Sequence, residues 1–337
     1  MKKTILAVAI PALFAASAQA ANVYDADGVS ADVYGRMQFD ISDDGTDTNG
    51  EGSARMGFKL SSVIGDGVSA IAKGEWQIAG ENSDDSEFTA RHLYAGFDFD
   101  DAGSVVFGQS DTAFYYAVAP TDIFNTYGYE AFTLIEDGRQ EGQIMYAGEF
   151  GGFVLNASYQ FKDDSFQLSA GNPDAGFPGV DTGYALDNSY AATIGYNFDF
   201  GFGIYGGYHV EDFAVGEKKN LALSASYSWE DLYVAAVYVK SDLDDIVIGA
   251  FEPSELTGYD IVLSYGFADA ATFYTGYAAQ EAEGKVNGAN AKADTADAFK
   301  LGLQYDFNSN MKAWAEYKVD GLEGADDQWT LAVQYNF

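Results

Sequence analysis

Residues 328–337 read Gln328-Trp329-Thr330-Leu331-Ala332-Val333-Gln334-Tyr335-Asn336-Phe337. Trp329, Leu331, Val333, Tyr335 and Phe337 share one parity, and Gln328, Thr330, Gln334 and Asn336 share the other. Side chains alternate across a strand, so the stretch predicts a strand with one apolar and one polar face. The same grammar recurs upstream. Phe299, Leu301, Leu303, Tyr305 and Phe307 alternate with Lys300, Gln304 and Asp306, and Leu221 to Trp229 sets Leu, Ala, Tyr and Trp against Ser224, Ser226 and Ser228.

Sixteen such segments run through the chain, at 31–41, 53–61, 68–79, 88–99, 103–109, 141–149, 152–161, 189–198, 201–210, 220–228, 231–240, 258–266, 270–280, 297–307, 310–318 and 328–337. Most have the roughly 9–11 residues that a tilted membrane-spanning strand needs. Segments 231–240 and 270–280 show no clear parity. Connections alternate in length: tight at 100–102, 150–151, 199–200, 230, 269 and 308–309, but long and polar at 42–52, 80–87, 110–140, 162–188, 211–219, 241–257, 281–296 and 319–327. An even strand count with short turns at one end and long loops at the other predicts an all-β fold, a sixteen-stranded antiparallel transmembrane β-barrel. A soluble β-sandwich also alternates, but it fills its core mainly with branched aliphatics. Here one face is rich in Tyr and Phe near the segment ends, as at a membrane interface, and the other suits a wet lumen.

Composition narrows the function. The chain of 337 residues has 52 Asp+Glu against 17 Lys+Arg, a formal charge of −35, and no Cys. Such a charge cannot neutralise phosphates, which speaks against nucleic acid as a partner. Without Cys there is no disulfide framework and no thiolate metal site. With 16% aromatic residues the chain is not an acidic disordered one. At the start, Lys2 and Lys3 precede an apolar run from Ile5 to Ala18 and then Ala18-Gln19-Ala20. This is the layout of a secretory leader, 1–20, cleaved between Ala20 and Ala21. The run falls short of the roughly 20 residues of a membrane-spanning helix. No linker or composition break divides 21–337, which predicts a single domain.

The terminal strand resembles the C-terminal assembly signal of Gram-negative outer-membrane barrels, carried by Trp329, Val333, Tyr335 and Phe337. Tyr34-Gly35-Arg36, Ala54-Arg55-Met56-Gly57-Phe58-Lys59, and Ala90-Arg91 followed by Tyr94-Ala95-Gly96-Phe97 are similar to the general bacterial porins, nearest to the OmpU-like porins of marine gammaproteobacteria. The resemblance implies an outer-membrane homotrimer whose third loop folds into the lumen. It implies a water-filled channel for ions and small hydrophilic solutes, inserted by the barrel-assembly machinery. The third long connection, 110–140, carries Phe114, Tyr115, Tyr116, Phe124, Tyr127, Tyr129 and Phe132, more rings than an exposed loop keeps. The resemblance also implies a ladder of bases on the wall, at Arg36, Arg55, Arg91 and Arg139, and a constriction carboxylate at Asp122 in Thr121-Asp122-Ile123-Phe124. Where the family has a second carboxylate this chain has Thr126, leaving Glu130 or Asp111 to supply charge nearby.

A pore selects by diameter and by the charges at its narrowest point. Arg36 shares a face with Tyr34, Gln38 and Asp40, opposite Met37, Phe39 and Ile41; Arg55 and Lys59 alternate with Met56, Phe58 and Leu60; Lys73 alternates with Ala72 and Trp76; Arg139 has the parity of Gln143. Arg91 has the parity of Phe97 and Phe99, so either a bulge shifts the register or it lies outside the lumen. The overall negative charge predicts cation preference. Acidic loop runs such as Asp43, Asp44, Asp47 and Glu51 are suited to divalent-cation bridges to lipopolysaccharide. Asp47 to Gly52 lacks the later Glu of a calcium loop, and no cofactor or specific metal is expected. Two other functions share the fold class. A sugar-specific channel would show saturable transport, and an adhesin or receptor would act through its outer loops. An enzyme would have to use His92 or His209, and neither sits beside a nucleophile motif.

Overall fold

In lipid every backbone N–H and C=O must pair within the protein, which leaves a strand-built wall no free edge. The chain meets that demand by closure. The computed structural model describes residues 20–79, 88–132, 138–170, 180–247, 250–268 and 270–337, so all but the last residue of the expected leader, 1–20, lies outside the described residues. In chain order the strands are β1 (Ala21–Ala26), β2 (Val29–Asp43), β3 (Thr48–Gly65), β4 (Val68–Ala79), β5 (Phe88–Asp98), β6 (Ser104–Asp111), β7 (Arg139–Phe150), β8 (Phe153–Gln160) and β9 (Asp163–Ala170). They continue with β10 (Val180–Asn197), β11 (Phe202–Phe213), β12 (Glu217–Trp229), β13 (Leu232–Asp244), β14 (Phe251–Ala268), β15 (Ala271–Val286), β16 (Ala289–Asp306), β17 (Met311–Asp320) and β18 (Gln328–Asn336). Sixteen of them, β2–β8 and β10–β18, pair antiparallel in a ring that closes where Leu331 of β18 meets Ile41 of β2.

The other two strands extend the wall. Gly35 and Phe337 exchange backbone hydrogen bonds of 3.0 Å, and past that point Ala21 pairs with Val33. β1 therefore takes over the side of β2 that β18 leaves. β9 pairs with the early part of β10 beyond the ring.

Parity reads as the sequence predicts. Met37 (64% exposed), Ile194 (54%) and Leu331 (49%) stand on the outer face, while Gln334, Lys300 and Asn220 are buried inside. The long connections are shorter than the sequence reading has them. β15 and β16 run as a ladder to a two-residue turn at Asn287-Gly288, whose φ of 52° and 78° suit a tight hairpin. Beyond the bilayer both faces of a hairpin meet water, so alternation fades while backbone pairing continues.

The two segments without clear parity have a physical reason. On β13 the inner face carries Tyr233, Ala235, Val237 and Val239, and on β15 it carries Tyr274, Ala278 and Ala282, all buried. They are apolar because the described part of the connection between β6 and β7, residues 112–132, packs over them inside the barrel. Phe114, Ala117, Val118 and Phe132 of that loop join Ala191, Ala222, Val237 and Val239 in one buried cluster. The wall is kept low to receive it. A methyl on Gly207 would come 2.6 Å from the Ala117 methyl, and one on Gly258 would collide with the Ala131 carbonyl.

Candidate pore constriction

On the wall of β2 to β5, Arg36, Arg55, Lys59, Lys73 and Arg91 converge, and Arg139 of β7 stands beside them. Arg36 and Arg55 are direct cross-strand partners, and Lys73 lies opposite Lys59. Like charges opposite one another repel, so each needs a counter-group. The Arg36 guanidinium donates through Nη1 to Gln334 Oε1 at 3.2 Å, and Arg55 donates through Nε and Nη2 to Gln77 Oε1, both at 3.1 Å.

The main counter-group is a residue the sequence reading passes over. Glu75 has the parity of Lys73 and points inward, where its side chain is only 8% exposed. Its carboxylate lies 2.9 Å from Arg91 Nε, 3.6 Å from Lys73 Nζ and 3.8 Å from Arg55 Nε, and it accepts the Tyr34 hydroxyl at 2.8 Å. The signal was its spacing of two from Lys73.

Arg91 reaches this cluster through a β-bulge. Glu75 pairs with His92 and Trp76 pairs with Ala90, so β5 has one residue more than β4 at this point and Arg91 is the extra one. The irregularity turns Arg91 into the lumen although it has the parity of outward Phe97. Arg139 opens β7 directly opposite Asp111, so that acid faces a base on its own wall rather than standing across the lumen.

The loop supplies the opposite side. It enters through the short helix α1 (Tyr115–Val118) and a 3₁₀ turn at Ala119–Thr121. Pro120 offers its carbonyl to the Tyr233 hydroxyl at 2.7 Å. Its tip is held by Glu316 of β17. One carboxylate oxygen accepts Asn125 N–H at 2.7 Å and the Tyr274 hydroxyl at 2.7 Å; the other accepts Thr126 and Tyr127 N–H, both at 3.0 Å. Three successive backbone donors on one buried carboxylate fix the path of the tip. Lys312 Nζ donates to Asn125 Oδ1 at 2.6 Å, and Trp314 Nε1 donates to Thr126 Oγ1 at 3.0 Å. Thr126 is thus part of the anchor, beside a buried carboxylate.

Glu130, expected as a constriction charge, pairs with Lys300 Nζ of β16 at 2.5 Å. Its charge is answered there, and it ties the loop to the wall. Asp122 is different. It is exposed to the lumen and accepts the Tyr115 hydroxyl at 3.0 Å. The ring of wall around it confines its water and pushes the carboxyl above the usual carboxylate range, while Tyr115, Lys300, Arg139 and Arg91 pull the other way. Among the described residues no cluster of three His, Cys, Asp or Glu could hold a metal ion.

A closed wall, an inner loop, bases on one side of the lumen and an acid on the other outline a constricted water path. A family model described as Gram-negative porin matches residues 6–327. The chain belongs to the Gram-negative porin family. Among its relatives, the outer membrane porin PhoE of Enterobacter cloacae is 27% identical over 363 aligned positions covering all of both chains. OmpF of Salmonella typhi, in a complex with daunomycin, superposes with a TM-score of 0.76 at 20% identity, over 94% of this chain and all of that one. An anion-selective porin from Comamonas acidovorans superposes with a TM-score of 0.69 at 14% identity, over 92% of this chain and all of that one. This porin is therefore an outer-membrane channel for passive diffusion of small solutes, and its relatives are channels rather than enzymes.

Proposed function

We propose that this porin is a cation-preferring general diffusion channel. Its eyelet lies between the base wall (Arg36, Arg55, Lys73, Arg91, Arg139) and Asp122 on the loop. The observation that carries the ion preference is Glu75. It sets one negative charge among Arg55, Lys73 and Arg91, and Asp111 sets another opposite Arg139, so the wall carries two charges fewer than its count of bases. Around it stands the field of a chain at −35, which becomes −37 if the leader takes Lys2 and Lys3 with it. A negative vestibule concentrates cations. The barrel does not decide the sign by itself, since the similar Comamonas structure is an anion-selective porin.

The test is a planar bilayer with a KCl gradient. A reversal potential on the cation side, weakening as salt screens the field, supports the reading. An anion-selective reversal potential overturns it.

Assembly follows the same reading. On the outer wall a groove of about 600 Å³ is lined by Ala31, Ala70, Ala72, Ala95 and Gly96 with Leu60 and Phe97. Its small side chains suit close contact between barrels, which supports a homotrimer and current steps in threes. Val333, Tyr335 and Phe337 form the end that the assembly machinery would read, and β1 begins at Ala21, the residue after the expected cleavage. Lipopolysaccharide bridged by divalent cations is the partner proposed for the acidic hairpins.

A further inference from the structure

Beneath the inner loop, toward the short turns, the wall and the loop enclose a second space of about 400 Å³. That is within the range of small-molecule sites. Tyr116, Ala119 and Pro120 of the loop cover it, and Val154 and Tyr205 line its wall. Asp98 and Asp100 near the β5–β6 turn and Glu149 of β7 also face it, and no Lys or Arg lines it. Glu149 takes a 3.4 Å contact from Asn197 Nδ2, and Asp98 Oδ1 accepts Asp100 N–H at 3.0 Å. Neither contact supplies a positive charge.

Asn156 of β8 gives the second, independent sign. It lines the same space, is 2% exposed, and its Nδ2 has no hydrogen-bond partner. A buried amide without a partner is unfavourable unless something in the pocket completes it.

We propose that this pocket is a binding site for a small hydroxylated organic cation, on the periplasmic side of the constriction. Three carboxylates without a facing base select a cation. A buried amide N–H that lacks an acceptor selects a neighbour with hydroxyl oxygens. The faces of Tyr116, Tyr205 and Pro120 suit a compact carbon skeleton, and the rings favour the cation further. A bare metal ion would use the carboxylates but leave the apolar cover and the amide idle. The pocket opens into the lumen, so access rests on the chain being an open pore.

Protonated glucosamine is the probe and glucose the neutral control, both added to full-length protein in a bilayer held in KCl. Glucosamine should interrupt the current in a saturable way that glucose does not. Glu149→Gln and Asp98→Asn should each shorten the interruptions by about tenfold, the scale of one charge-assisted hydrogen bond. KCl conductance alone reports the pore, so its loss in wild type counts against the pore and not the pocket. Saturation-transfer NMR on the detergent-solubilised protein then reads the same binding without conduction. Equal effects of glucosamine and glucose, or interruptions unchanged in both variants, overturn the site. So do interruptions abolished by Asp122→Asn alone, which would place the cation at the constriction.

Discussion

Arg91 Nε lies 2.9 Å from Glu75 Oε1, and it does so because β5 carries one residue more than β4 at that point. The bulge gathers charge from two strands that plain alternation would hold apart. Glu75, turned inward by its own parity on β4, receives that charge between Arg55 and Lys73.

Replacing Glu75 with Gln tests that role. The change keeps the shape and removes the charge that answers Arg55, Lys73 and Arg91. The expected outcome is a reversal potential shifted toward anions in the KCl gradient. Uncompensated bases so close together also cost stability, about 3 kcal/mol on the scale of a broken buried pair, visible as a lower melting temperature of the barrel. An unchanged reversal potential would show that Glu75 does not set the field.

Glu316 makes a separate prediction about the loop. Its carboxylate receives Asn125, Thr126 and Tyr127 N–H. Glu316→Gln turns one acceptor into a donor facing a donor and weakens the rest, a loss of about 1.5–3 kcal/mol in docking the tip. The expected result is a noisier open channel with a larger mean conductance. Limited proteolysis should also cut near 125–127 faster than in the wild type.

Thr126→Glu tests the position where the resemblance implies a second carboxylate. Thr126 Oγ1 holds Trp314 Nε1, and its N–H is bound to Glu316. A second carboxylate there faces repulsion from the first in a confined space. The variant should loosen the loop as Glu316→Gln does. Adding Glu316→Gln to it should cost less than the two separate losses combined, as expected for residues in contact.

Much of this was legible in the sequence. Alternation such as Trp329 to Phe337 marked the sixteen strands of the ring and most of their facing, though not β1 or β9, because a wall between lipid and water imposes opposite chemistry on its two sides. Legibility failed where that contrast fails. Tyr233 and Val237 face inward yet are apolar, since the loop covers them. Residues 281–296 read as a loop because both sides of that hairpin meet water. On the base wall, the inward facing of Arg36, Arg55 and Lys73 followed from parity. The facing of Arg91 did not, because a bulge is one residue of register with no marker of its own. Glu130 looked like a free acid because its partner Lys300 lies 170 residues away.

The pH dependence turns on Asp122. Its carboxyl is held above the usual range by confinement within the barrel, so it takes up its proton at a higher pH than an ordinary Asp near 3.9. The sign follows directly. As pH falls through that raised value, the lumen loses a negative charge opposite Arg91 and Arg139, and the balance at the narrowest point moves toward positive. Cation preference should therefore decline with a midpoint above about 3.9, while surface carboxylates are still ionised. Asp44, in an exposed turn where Thr46 Oγ1 and backbone N–H groups hold its carboxyl down at about 2, should stay charged through the same window. Asp122→Asn should start with weaker cation preference at neutral pH and lose the upper step of the titration. If the variant keeps that step, the titrating group lies elsewhere on the wall.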